Sequence, residues 1–154
     1  MRADALTGWR VALHHLFKKI IGGRTMAESK PLPHFIREVL GCRCSDAVLT
    51  NIRLRPEPNQ VAGVPLILCL DVDSRLLVYV VCPERPLVLI DSLQSVFEAG
   101  KRARDLDGFN RFRFVVGAAS AGDAREKLMA VFQALPDIDD RQHLHVIDVQ
   151  DIPT

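Results

Sequence analysis

A single mixed α/β domain is the fold class that this sequence predicts, on three observations. Two apolar runs, Leu66 to Leu70 and Leu76 to Cys82, flank the turn-forming stretch Asp71-Val72-Asp73-Ser74, which predicts an antiparallel β-hairpin. Both runs are apolar on successive residues, so both faces of the hairpin are expected to be covered and the hairpin to be central in its sheet. The C-terminal half then alternates extended and helical patterns, with helices long enough to serve as crossovers, which predicts a βαβαβ portion with parallel pairing. A chain of 154 residues that is 48% hydrophobic can bury one core without help from a disulfide or a metal.

The elements follow in order. Leu6, Trp9, Leu13, Leu16, Phe17 and Ile20 recur at helical spacing and predict an amphipathic helix within residues 1–25, ended by Gly22-Gly23. A polar linker over residues 22–32 leads to Pro33, a first-turn residue, and to a short helix with Phe35, Ile36, Val39 and Leu40 on one face before Gly41. Ser45 is an N-cap for a brief helical turn through Asp46, Ala47 and Val48, and a strand is expected from Asn51 to Arg55, closed by Pro56 and Pro58. After the hairpin, the Pro83-Glu84-Arg85-Pro86 break precedes a third apolar run, Leu87 to Ile90, read as extended. A helix from Ser92 to about Arg104 carries Leu93, Val96, Phe97 and Gly100 on one face, with Gly108 in the loop after it. The remaining elements are a strand from Phe112 to Val116, a small-residue loop Gly117 to Gly122, a helix from Asp123 to Leu135 and a strand from Leu144 to Val149.

Charge excludes little but directs the search. Lys and Arg number 20 against 19 Asp and Glu, so the overall balance favours neither nucleic acid nor an anionic membrane surface. Residues 1–30 are locally cationic, with Arg2, Arg10, Lys18, Lys19, Arg24 and Lys30 against Asp4 and Glu28. His14, His15, Lys18 and Lys19 interrupt the apolar pattern there, leaving no run long enough for a signal segment or membrane span. A cytoplasmic location is the expectation, and Met26 is an alternative natural start that would make residues 1–25 an upstream extension. In a reducing compartment Cys42, Cys44, Cys69 and Cys82 are expected to be mostly thiols, the last two inert inside apolar strands.

Three constellations carry chemistry. Cys42 and Cys44 stand one residue apart between two predicted helical pieces. The turn opened by Ser45 and the neighbouring Arg43 would favour a Cys44 thiolate with Cys42 as its redox neighbour. Against this, the preceding helix end disfavours a Cys42 thiolate, and a single intervening residue counts against a disulfide. Structurally inert cysteines are the plainer reading. The same two cysteines, with His143 and His145 on one face of the last strand, would make a structural zinc site. Arg111 and Arg113 share a strand face, as do Arg53 and Arg55, and the four guanidinium groups together would bind a small anion such as phosphate if the strands lie side by side. A solvated sheet face is the plainer reading of these arginines. The Gly117 to Gly122 loop lacks both the P-loop ending and the dinucleotide fingerprint, so Ser120 or Asp123 acting as a helix cap explains it.

The order helix, three strands, helix, strand is similar to that of restriction-endonuclease-like nucleases, with Asp71 near their metal-binding aspartate, but Leu76 to Cys82 offers no Glu-x-Lys. Asp71-Val72-Asp73-Ser74 also resembles the opening motif of haloacid-dehalogenase-type phosphatases, although here it falls in a predicted hairpin turn. A broader resemblance rests on Phe35-Ile36-Arg37-Glu38-Val39-Leu40-Gly41-Cys42-Arg43-Cys44, Arg75-Leu76-Leu77-Val78-Tyr79, Gly108-Phe109-Asn110-Arg111-Phe112-Arg113 and His143-Leu144-His145-Val146. Over residues 33–148 these resemble a group of short uncharacterised prokaryotic proteins, which carry a proline where this chain has Ser45. That resemblance implies no function.

The expectation from sequence is therefore a non-catalytic binding or regulatory module that recognises a small anion or a protein partner, with self-association open. A thiol redox protein using Cys44 and Cys42, and a zinc-stabilised domain, are the alternatives.

Overall fold

A computed structural model describes residues 32–153 of the chain. The amphipathic helix expected within residues 1–25 and nearly all of the polar linker lie outside the described residues.

Helix α1 begins at Leu32–His34 and continues as a π-helical turn over Phe35–Val39, with Phe35 and Ile36 fully buried. Gly41, at φ +67°, ends it in the left-handed region that glycine enters at little cost. Helix α2, Asp46–Leu49, follows, and the Ser45 hydroxyl accepts from the Val48 N–H at 3.4 Å, as an N-cap does. Strands β1 (Ile52–Leu54), β4 (Leu68–Val72), β5 (Leu76–Val81), β6 (Arg111–Ala118) and β7 (Gln142–Asp148) form one five-stranded sheet in the order β1-β4-β5-β6-β7. β2 (Gln60–Val61) and β3 (Val64–Pro65) make a separate two-stranded hairpin that the sequence reading did not anticipate.

β1, β4 and β5 pair antiparallel, whereas β5, β6 and β7 pair parallel. The β4–β5 hairpin turns at Asp73 and Ser74, with φ of 52° and 54°, and the Arg75 N–H bonds the Val72 carbonyl at 3.0 Å. Two successive positive φ values and that bond make a type I′ turn, whose twist suits the flanking strands. Asp71 Oδ1 accepts from the Ser74 N–H at 2.7 Å, so this carboxylate stabilises the turn. The phosphatase-like motif is thus a hairpin, and β5 beside it is wholly apolar and buried.

Helices α3 (Leu93–Asp107) and α4 (Ala121–Ala134) are the two crossovers, and both pack on one face of the sheet. That follows from right-handed connections between parallel strands laid down in one direction. Phe97 of α3 lies at the centre of this layer, its ring centroid 5.7 Å from Phe112, 5.9 Å from Phe114 and 4.8 Å from Phe132. Gly100 lets α3 approach, because a Cβ there would overlap the Phe112 ring. α1 and α2 cover the opposite face through Phe35, Ile36, Leu40 and Leu49, which pack with Leu70, Val78, Val80 and Val115. The molecule is a three-layer α/β/α arrangement with a core on each side of the sheet.

Two readings need correction. Leu87 to Ile90 is not extended: Pro86–Ser92 is a 3₁₀ helix, with Pro86 at its first turn and Leu89 its one buried residue. Leu87 and Val88 stay exposed, the latter at 60%, so the apolar run is not a core strand. The expected Gly117 to Gly122 loop is mostly regular structure, since β6 runs through Ala118 and α4 starts at Ala121. Gly117 is there for packing, because a Cβ would overlap Ile152 Cδ1.

Candidate functional site

Cys42 and Cys44 lie in the loop between α1 and α2, half-buried against the α1-side core, and are joined as a disulfide across a Cα–Cα distance of 5.3 Å. The loop is pinned at both ends. At its start, the Cys42 N–H bonds the Ile36 carbonyl at 3.1 Å, and the Leu40 carbonyl accepts from Arg113 Nη1 of β6. At its end, Arg37 Nη2 bridges the Cys44 carbonyl at 3.2 Å and Asp46 Oδ1 at 2.6 Å, tying α1 to α2. Arg43 between the cysteines is exposed. By contrast Cys69 and Cys82 are buried free thiols, and burial pushes each up to about 11.

Beneath this loop stands a cationic cluster. Arg113 is 9% exposed and makes no ion pair with any carboxylate among the described residues. Its Nη1 lies 2.9 Å from His145 Nε2, and burial with the adjacent Arg113 charge pushes His145 down to about 4. His145 is therefore neutral at pH 7, and its Nε2 is the acceptor of the Arg113 proton. Parallel register sets Arg113 beside His143, whose ring is also held below the usual histidine range, chiefly by burial. Two buried nitrogens in this cluster, Arg113 Nε and His143 Nε2, have no hydrogen-bond partner among the described residues.

The four-arginine site does not form. Register runs Arg53 to Asp71 to Leu77 to Phe112, so Arg53 and Arg55 share the α3 face, whereas Arg111 and Arg113 alternate onto the α1 face. Arg55 is occupied there, paired with Asp107 at 3.3 Å and lying over the Phe109 ring at 5.8 Å. The zinc set fares differently. Cys42, Cys44, His143 and His145 do fall on the same side of the sheet, but no group of three or more His, Cys, Asp or Glu among the described residues is arranged to hold a metal ion. The Arg113 guanidinium, bonded to both Leu40 and His145, occupies the place between loop and histidines with a positive charge.

A cleft of about 360 Å³ between α1 and the end of β7 is lined by His34, Glu38, Arg125, Asp148 and Asp151 together with apolar side chains, and contains none of the expected site residues. Arg125 there donates from Nε and Nη2 to the Val146 carbonyl at 2.9 and 2.7 Å. No helix among the described residues is long and apolar enough to cross a membrane.

No family model matches the chain, and no curated protein or solved structure matches it. The assignment of function accordingly stands on these residues alone. Sequence reasoning missed the Arg113 to His145 pairing and the Arg37 bridge. The first had a usable signal, since Arg111-Phe112-Arg113 and His143-Leu144-His145 repeat one alternation on two strands joined by a single crossover helix.

Proposed function

We propose that the protein is a regulatory binding module whose Cys42–Cys44 pair cycles between dithiol and disulfide. The observation that carries this reading is selectivity of placement: two cysteines in a half-exposed, pinned loop are within bonding reach, while the other two are buried with raised thiol pKa. Their Cα separation of 5.3 Å falls inside the range of about 4.4–6.8 Å that disulfides adopt. The four-guanidinium anion site that competed with this reading loses its support, because the sheet separates its members.

The exchange needs a disulfide as co-reactant, either a small molecule such as oxidised glutathione or a partner protein. One thiolate of the pair attacks that disulfide, forming a mixed disulfide and releasing one thiol. The second cysteine then attacks the first, closing the Cys42–Cys44 bond and releasing the second thiol, so two electrons and two protons pass to the partner. The bond closes a ring of three residues within the loop between α1 and α2, so its state sets how firmly the exposed segment through Arg43 is held. A cytoplasmic location, expected from the sequence, makes the dithiol the resting form and oxidation the signal.

The test is to equilibrate the full chain with glutathione buffers of graded poise, quench with acid, alkylate and map the peptides by mass. One two-electron transition confined to Cys42 and Cys44 is expected, with Cys69 and Cys82 alkylated throughout once the chain is unfolded. A pair that stays reduced at every poise, or oxidation that begins at Cys69 or Cys82, would refute the proposal.

A further inference from the structure

Arg113 poses a problem that the thiol reading does not solve. A buried charge without a counter-charge is costly, and proteins normally pair it or leave it in water. Here the guanidinium is 9% exposed, and its two bonded neighbours, the Leu40 carbonyl and the neutral His145 ring, carry no negative charge. Among the described residues its Nε has no hydrogen-bond partner, and neither has the buried Nε2 of His143 on the neighbouring strand. Arg111, two residues before Arg113 and on the same face, is exposed and makes no ion pair among the described residues. Two carboxylates lie near His143: Asp139, engaged by Arg104 at 2.7 and 2.9 Å, and the exposed Asp140, and neither forms an ion pair with Arg113.

We propose that Arg111, Arg113 and His143 form a binding site for one small tetrahedral oxyanion of the phosphate or sulfate class. Arg113 Nε–H and His143 in its Nε2–H form donate from the floor, and Arg111 closes the site from the exposed rim. The three residues lie at the start of β6 and β7, where Arg111 is exposed and His143 is half-buried. An oxyanion there supplies both the counter-charge and the acceptors that the described residues do not provide. This differs from a four-arginine site: Arg53 and Arg55 lie across the sheet and take no part.

The test uses the full chain titrated with sodium phosphate, sodium sulfate and sodium acetate at ionic strength held constant with sodium chloride. Melting temperature and the ring resonances of the histidines are followed. A saturable rise in melting temperature with phosphate and sulfate is expected, together with a shift of the His143 resonances and none at His34. Losing one charge-assisted donor should weaken binding about tenfold, so Arg111→Gln is the first variant. Arg111 is exposed, so this change leaves folding intact. Arg113→Met removes a buried charge and should abolish the response, and Arg53→Gln on the other face should leave it unchanged. Three results would each overturn the proposal: no saturable response, an equal response to acetate, or the same affinity in Arg111→Gln as in the natural chain.

Discussion

Replacing Arg104 by alanine is expected to destabilise the protein by about 3 kcal/mol, the lower end of the cost of breaking a buried ion pair, because the Asp139 side chain left behind is 26% exposed. Arg104 lies near the C-terminal end of α3, 1% exposed, and grips both oxygens of Asp139 at 2.9 and 2.7 Å while its Nε bonds Asp105 at 2.9 Å. Asp139 also accepts from the Arg141 N–H at 2.9 Å, so the pair fixes the approach to β7. Urea denaturation of Arg104→Ala, Asp139→Ala and the double variant would measure this. The double variant should cost less than the sum of the singles, since each single change leaves a polar group without its partner. The pair also makes an acid-sensitive contribution. The Arg104 hydrogen bonds hold the Asp139 carboxyl below the usual carboxylate range. A depressed carboxyl stabilises the fold above its unfolded pKa and loses that contribution as pH falls through its folded value. Stability should therefore drop below about pH 4 in the natural chain, and Arg104→Ala should lose this part of the drop.

Phe97→Ala is expected to cost a similar amount, about 3–5 kcal/mol for a large aromatic truncated inside a core. Phe97 is 1% exposed and touches three other rings, Phe112 and Phe114 of the sheet and Phe132 of α4. Its own carbonyl also accepts from the buried Gln142 side chain at 2.9 Å. The cavity would open where α3, α4 and β6 meet, and rigid strands on one side leave little room to collapse. Equilibrium unfolding by circular dichroism would read the loss. A cost below about 1 kcal/mol would mean that the α3 layer is far more loosely packed than described.

Much of this architecture was legible because it is set locally. Asp73-Ser74 can turn a tight hairpin, Ser45 can cap a helix, and Gly108 at φ +77° can end one, so each left a chemical trace in the sequence. Leu87 to Ile90 was misleading because four apolar residues after a proline suit a buried strand or a 3₁₀ turn equally, and only tertiary packing of Leu89 decides. The β2–β3 hairpin escaped notice because each of its strands is two residues long and one ends in Pro65.

The candidate site was legible only in part. Alternation placed Arg111 with Arg113 and Arg53 with Arg55, but parity between strands depends on register, which no single strand encodes. The hairpin turn and the first crossover fix that register and put the two arginine pairs on opposite faces. The cysteine pair was visible from spacing alone. Its relation to Arg113 was not, because the link runs through the Leu40 carbonyl, a backbone atom that every residue possesses.

The most direct test of the thiol assignment is the rate at which each cysteine of the native, fully reduced chain is alkylated at neutral pH, resolved by peptide mass. The account predicts that Cys42 and Cys44 react first and that Cys69 and Cys82, buried and raised to about 11, stay protected until the chain unfolds. Equal sluggishness of all four thiols would contradict it and leave the cysteine pair as part of the core.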